Sequence, residues 1–397
     1  MMTAYAYLPY LIRVAPAHRP RQLYRLNDVG QSHADLLTEI TDELTTIGSK
    51  FHHNEILAEG FRLKRNNPFG RSTLLWMRRG PVGNPGETYD IDTGGVAETG
   101  VNTALLSELR AGLYIPEGSY FGFLFVERVG GRHLKDLIYQ RVIMPIAKRL
   151  DVSIRVEAYA ETDDWRKELS GQQVLRVTEV LNMQASQEDA STLDEDLSVR
   201  VATEGSVLSR MTGDVKALIF DALDRRHAEY RLLAQIAPLQ SRRNIWGDVS
   251  RKGETKQGWK KAPRSAFTVA DSEELTAQLL ELDKLRGNGA PKELLEQLQN
   301  LVPVDRSDLE SRRLEVAFGD KAPQKNFVVE SDRLPQLVYP LGGRLTDVEL
   351  QRLWEAQAEA FLQGLGVTLT ADWLLSSKEV GGERDPHRPP SDAGDAA

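Results

Sequence analysis

Residues 119–128, SYFGFLFVER, form a nearly continuous aromatic and apolar run that Gly130-Gly131 ends. A short run of this kind, bounded by glycines, reads as a β-strand. Helical spacing follows from about His133, where Leu134, Leu137, Ile138 and Val142 recur on one face. Pro145 is expected to kink or end that helix. Residues 152–160, VSIRVEAYA, then alternate as a second strand. Strand, helix and strand with short joints predict a βαβ crossover, and with it a mixed sheet.

Other segments fill in around this unit. Residues 4–15 are apolar, tyrosine-rich and extended. Leu36, Leu37, Ile40, Leu44 and Ile47 predict a helix, with Ser32 as its cap, Asp35 at the capping-box position and Gly48 as its stop. Residues 55–65, 72–79 and 87–92 read as strands separated by the turn-rich NNPFG and GPVGNPG, and 173–183 adds another. Residues 186–204 read as an acidic loop and about 214–236 as a helix. Beyond the middle of the chain, helices are expected at 272–286, 291–300 and 347–364, the last opened by a Thr346…Glu349 capping box. Residues 326–330 and 335–340 are expected to pair as strands. The tail from 378 to 397 is expected to be disordered.

The resulting expectation is an α+β chain. It comprises a mixed-sheet domain over 1–240, a basic loop or linker over 241–265 and a smaller, mostly helical domain over 266–377. At 397 residues, 41% hydrophobic and 27% charged, the chain has the composition of a globular protein with a core. There is no apolar run of the roughly 18–20 residues a membrane span needs. With no cysteine, disulfides, thiolate metal sites and a cysteine nucleophile are excluded, and a cytoplasmic home fits. Arginine outnumbers lysine, which is suggestive of a GC-rich bacterial genome.

Charge is distributed unevenly. Residues 241–264 hold Arg242, Arg243, Arg251, Lys252, Lys256, Lys260, Lys261 and Arg264 against Asp248 and Glu254 alone. This leaves the segment at +6; since the whole chain carries −8, the remaining residues carry −14. Trp246 and Trp259 lie within the segment. Cations with interleaved aromatic rings suit a polyanion that carries bases, the phosphates meeting Arg and Lys while a base stacks on tryptophan. The bland reading is a solvated linker whose tryptophans pack on a domain. The acidic loop at 186–204 offers a coupled idea, in which it folds back and masks the basic segment.

Other motifs carry less. The GPVGNPGE turn lacks the Gly-Lys-Ser/Thr of a phosphate loop. Arg132, after Gly130-Gly131, is a weak candidate to hold an anion at a helix start. Glu127 and Arg128 end the strongest strand and read as a surface ion pair or as site residues. Asp214-Val-Lys216 and Glu254-Thr-Lys256 match a nuclease triplet only by residue type. The seven histidines show no metal spacing. No catalytic residue, metal site or cofactor is assigned.

The expected function is nucleic-acid binding or regulation without catalysis, with DNA or RNA contacted by the basic segment. A scaffold or assembly subunit is the alternative, with a protein partner or self-association through the carboxy-terminal helices. A metal-dependent nuclease is the third reading.

Overall fold

The computed structural model describes residues 5–19, 22–54, 59–83, 86–89, 96–100, 103–183, 198–204, 212–251, 268–286, 309–319, 325–330, 336–370 and 373–374. The fold is α+β. In chain order it runs β1 (Tyr5–Pro16), α1 (Leu36–Ile47), β2 (His52–Asn54), β3 (Glu59–Phe69), β4 (Ser72–Pro81), β5 (Gly86–Tyr89), β6 (Val96–Thr99), β7 (Ser107–Tyr114) and β8 (Gly122–Val129). Then come α2 (Lys135–Ile138), a π-helical turn (Tyr139–Ile143), α3 (Met144–Leu150), β9 (Val152–Ala158), α4 (Thr162–Glu168), β10 (Gln173–Met183), β11 (Ser198–Glu204) and α5 (Thr212–Arg251). The chain continues through α6 (Val269–Arg286), β12 (Leu309–Gly319), β13 (Lys325–Glu330), β14 (Tyr339–Leu341) and α7 (Asp347–Gly364).

The main sheet has the order β14-β1-β8-β7-β4-β3-β2, and β9 also pairs with β1. A second sheet has the order β11-β10-β12-β13. The crossover exists, but β8 and β9 are not neighbours. Both run antiparallel to β1, which lies between them. They are therefore parallel to each other one strand apart, and every pairing among the described residues is antiparallel. The expected mixed pairing fails because β1, formed first in sequence, takes the central position.

Period-two alternation sends the two faces of the sheet into different cores. Leu8, Tyr10, Ile12 and Val14 of β1, with Leu124 and Val126 of β8, meet α1 and the crossover helix. Tyr7 and Leu11 of β1, with Phe123 and Phe125 of β8, meet α5, α6 and α7. Both faces of the central strands are thus buried, which explains why 119–128 reads as continuously apolar. Trp354 and Phe361 of α7 stack on Phe125 with ring centroids 6.0 and 6.3 Å apart. A Cβ on Gly112 of β7 would lie 2.8 Å from the Trp354 ring, so only glycine permits this approach.

Several local expectations are revised. Asp35, not Ser32, caps α1: its side chain accepts from the Leu37 amide at 2.9 Å. Arg71 holds the same carboxylate from the loop after β3. The crossover helix passes Pro145 and continues to Leu150. Proline removes one donor there, and the chain widens into the π-turn, where the Met144 amide bonds the Tyr139 carbonyl. Residues 326–330 and 335–340 do not pair together: β13 joins β12, while β14 joins β1. Residues 198–204 of the acidic loop form β11, whereas 184–197 lie outside the described residues. The same holds for 291–300 and for the tail 378–397. The Thr346…Glu349 capping box forms as expected.

Pro9 sits inside the central strand β1, where a proline needs justification. The Tyr159 amide donates to the Pro9 carbonyl, so the missing N–H of Pro9 also faces that side. On that side β14 stops opposite Tyr7, and β9 begins its pairing at Tyr10. The absent donor falls at the seam between two strands, and the bond it forgoes is the return bond to Tyr159, just past the end of β9.

Candidate functional site

The basic segment begins on a helix rather than in a loop. The reading of 241–265 as a loop is corrected for 241–251, because α5 is helical from Thr212 to Arg251. Pro238 lies within it, costing one backbone bond without ending the helix. Ala237 and Leu239, on either side, are buried in the shared core, which offsets that loss. From Leu239 the helical backbone continues twelve residues to Arg251, about 18 Å at 1.5 Å per residue. Arg242, Arg243, Trp246 and Arg251 are on this part of α5. Lys252, Lys256, Trp259, Lys260, Lys261 and Arg264 lie outside the described residues. The next helix along the chain, α6, packs on α5 through Leu275 and Leu282. The segment therefore connects two helices that are anchored in one core with Tyr7, Phe125 and Trp354.

Ionic networks fix α5 and α7 to the sheet. Glu157 of β9 accepts from Arg13 Nη2 at 2.8 Å, from Tyr230 Oη at 2.9 Å and from Arg226 Nη2 at 3.2 Å. Tyr230 and Arg226 belong to α5, so one carboxylate joins two strands to that helix. Burial opposes ionisation of Glu157. The charges of Arg13 and Arg226 and the hydrogen bonds from Arg13 and Tyr230 outweigh it, holding the pKa down to about 2 from 4.5. A depressed carboxyl stabilises the fold above its unfolded pKa and loses that contribution as pH falls. Acidification from pH 4.5 toward 2 is therefore expected to remove on the order of 3 kcal/mol. Urea unfolding against pH should show this loss, and Glu157→Gln should abolish it. Equal acid slopes in parent and variant would contradict the assignment.

The other candidates from the sequence lie apart from the basic segment. Glu127 is not on the surface: it is fully buried and pairs with Arg110, not Arg128. Arg132 lies in the turn after β8, where its guanidinium donates to Ser107 Oγ at 3.2 Å. Asp214 is in the first turn of α5. Among the described residues, no three His, Asp or Glu side chains converge as a metal site. Among those residues, too, no helix is long and apolar enough to cross a membrane.

No family model matches this chain, and no curated protein or solved structure resembles it significantly.

A cavity of about 660 Å³ was not anticipated from the sequence. It runs along β9, from Ser153 to Ala158, and draws walls from both sides of the sheet. Tyr10, His133, Lys135 and Tyr139 form one wall; Leu223, Arg226, His227 and Tyr230 of α5 form the other. His227 is held by the Ala160 carbonyl at 2.8 Å and by Thr162 Oγ1 at 3.3 Å. Burial pushes both His133 and His227 below the ordinary histidine pKa, so both are neutral at pH 7.

Proposed function

We propose that this protein binds nucleic acid through segment 241–264, without catalysis of its own. The observation that carries the reading is the charge partition: +6 within that segment against −14 in all other residues. An acidic body repels a polyanion, so contact would be confined to one place. The position of the segment between α5 and α6 adds support. α5 is tied to the sheet by buried side chains and α6 packs on α5, and a cationic connection between anchored helices can grip a phosphate backbone with less ordering cost than a free tail. Trp246 and Trp259 would supply stacking of unpaired bases, worth about 1–3 kcal/mol each. A cytoplasmic setting and a bacterial source belong to the same proposal.

Charge reversal tests it. Replacing Arg251, Lys252, Lys260 and Lys261 with Glu turns the segment from +6 to −2. Binding of labelled single-stranded and duplex DNA and RNA, read by fluorescence anisotropy, should then disappear. Circular dichroism should show an unchanged fold. Binding as tight as the parent's would sink the assignment.

A further inference from the structure

Among the described residues, β9 pairs with β1 alone, and its other edge carries no strand. Which backbone groups face outward follows from one bond. The Tyr159 amide donates to the Pro9 carbonyl, so the Pro9–Tyr159 pair is of the hydrogen-bonded kind. Antiparallel ladders alternate, so Ser153, Arg155 and Glu157 bond β1 as well. Val152, Ile154, Val156 and Ala158 therefore turn their N–H and C=O groups away from the sheet. Such a row is a template for another strand, and proteins normally blunt it.

Here the row opens into the 660 Å³ cavity. The cavity touches every β9 residue from Ser153 to Ala158 and residues from both faces of the sheet. A space that meets both faces of one strand runs past that strand's edge. Its walls are the crossover helix on one side and α5 on the other. This is a trough with a strand edge at its base, about 20 Å long for six residues at 3.3 Å each. The flanking helices obstruct flat edge-to-edge pairing with a second copy, whose β9 is recessed in the same way. One extended segment fits.

Charge selects its chemistry. Glu157 is already satisfied by Arg13, Arg226 and Tyr230. Arg155 reaches it only at 3.6 Å and keeps half of its side chain exposed. On this side Arg13, Arg155 and Arg226 outnumber Glu157 and Glu229, whereas on the other side Lys135 is balanced by Asp136 at 3.1 Å. Tyr10 and Tyr139 line that balanced side.

We propose that this trough receives an extended, acidic peptide segment of a partner protein, added as a further strand on the outer edge of β9. Its acidic side chains would face Arg155 and its apolar ones Tyr10 and Tyr139, since successive residues point to opposite faces.

The probes are capped peptides of about six residues that alternate valine with glutamate, with glutamine or with lysine. The valine–glutamate peptide should bind the full-length protein by fluorescence polarisation and slow hydrogen exchange of the Ile154, Val156 and Ala158 amides. Val156→Pro removes an outward donor while sparing the bonds to β1, and should weaken binding about tenfold. Arg155→Glu should shift preference to the valine–lysine peptide, a reading that stands even if the proline variant fails to fold. The proposal is overturned if no peptide slows exchange at these amides or if Arg155→Glu leaves the preference unchanged. It is equally overturned if the peptide-free protein already protects them as a sedimenting dimer, which would make a second copy the occupant.

Discussion

Glu127→Ala is expected to cost about 3–5 kcal/mol of stability, because it strands a charge in the interior. Arg110 and Glu127 form a two-pronged pair, with Nη2 to Oε1 at 2.6 Å and Nε to Oε2 at 3.0 Å. Their side chains are 2% and 0% exposed. The guanidinium also donates to the Leu345 carbonyl at 2.8 Å and to Asp347 Oδ1 at 2.9 Å. Asp347 opens α7 and accepts from Arg65 as well. The pair thus links the centre of the sheet to the start of the helix that stacks on Phe125. Removing the carboxylate leaves Arg110 with its neighbours on α7 but no counter-charge on the sheet. Net stability of a domain is about 5–15 kcal/mol, so the variant should sit near its unfolding threshold. Urea denaturation followed by tryptophan fluorescence measures this, since Trp354 is on the same helix. The double replacement Arg110→Met with Glu127→Leu should cost far less, because it removes both charges together. A single variant as stable as the parent would show that the pair carries no such weight.

The sequence reveals those parts of the fold whose signals are local. The spacing of Leu36, Ile40 and Leu44, the continuous 119–128 run and the Thr346…Glu349 box each specify an element from a few neighbouring residues. What escapes depends on partners far along the chain. β7 is a central strand, yet it carries Arg110 and Gly112, which look foreign to a core. Each is explained only by a distant residue: Glu127 and Asp347 pair the arginine, and Trp354 occupies the space a Cβ would take. β14 is three residues long and exists because β1 offers an edge more than three hundred positions earlier in the chain. Local rules end α5 at Ile236, before Pro238. Burial of Ala237 and Leu239 overrides the proline. The candidate sites divide similarly. The basic segment is a matter of composition and visible at once, whereas the trough along β9 requires β1 to separate two strands of a crossover.

The second large effect concerns nucleic-acid affinity against salt. Each phosphate neutralised by Arg or Lys releases counterions, so log affinity falls with log salt at about −0.9 per contact on duplex DNA. With about four to six of the segment's cations engaged, the slope is roughly −4 to −5, and affinity should drop roughly 300- to 1,000-fold between 50 and 200 mM salt. The −14 carried outside the segment opposes a polyanion and would not by itself produce such a response. The decisive measurement is therefore a salt titration of duplex DNA binding by the full-length chain. A log–log slope near −4 to −5, collapsing in the four-residue Glu variant, is the predicted result; a flat line, or a slope that survives charge reversal, contradicts it.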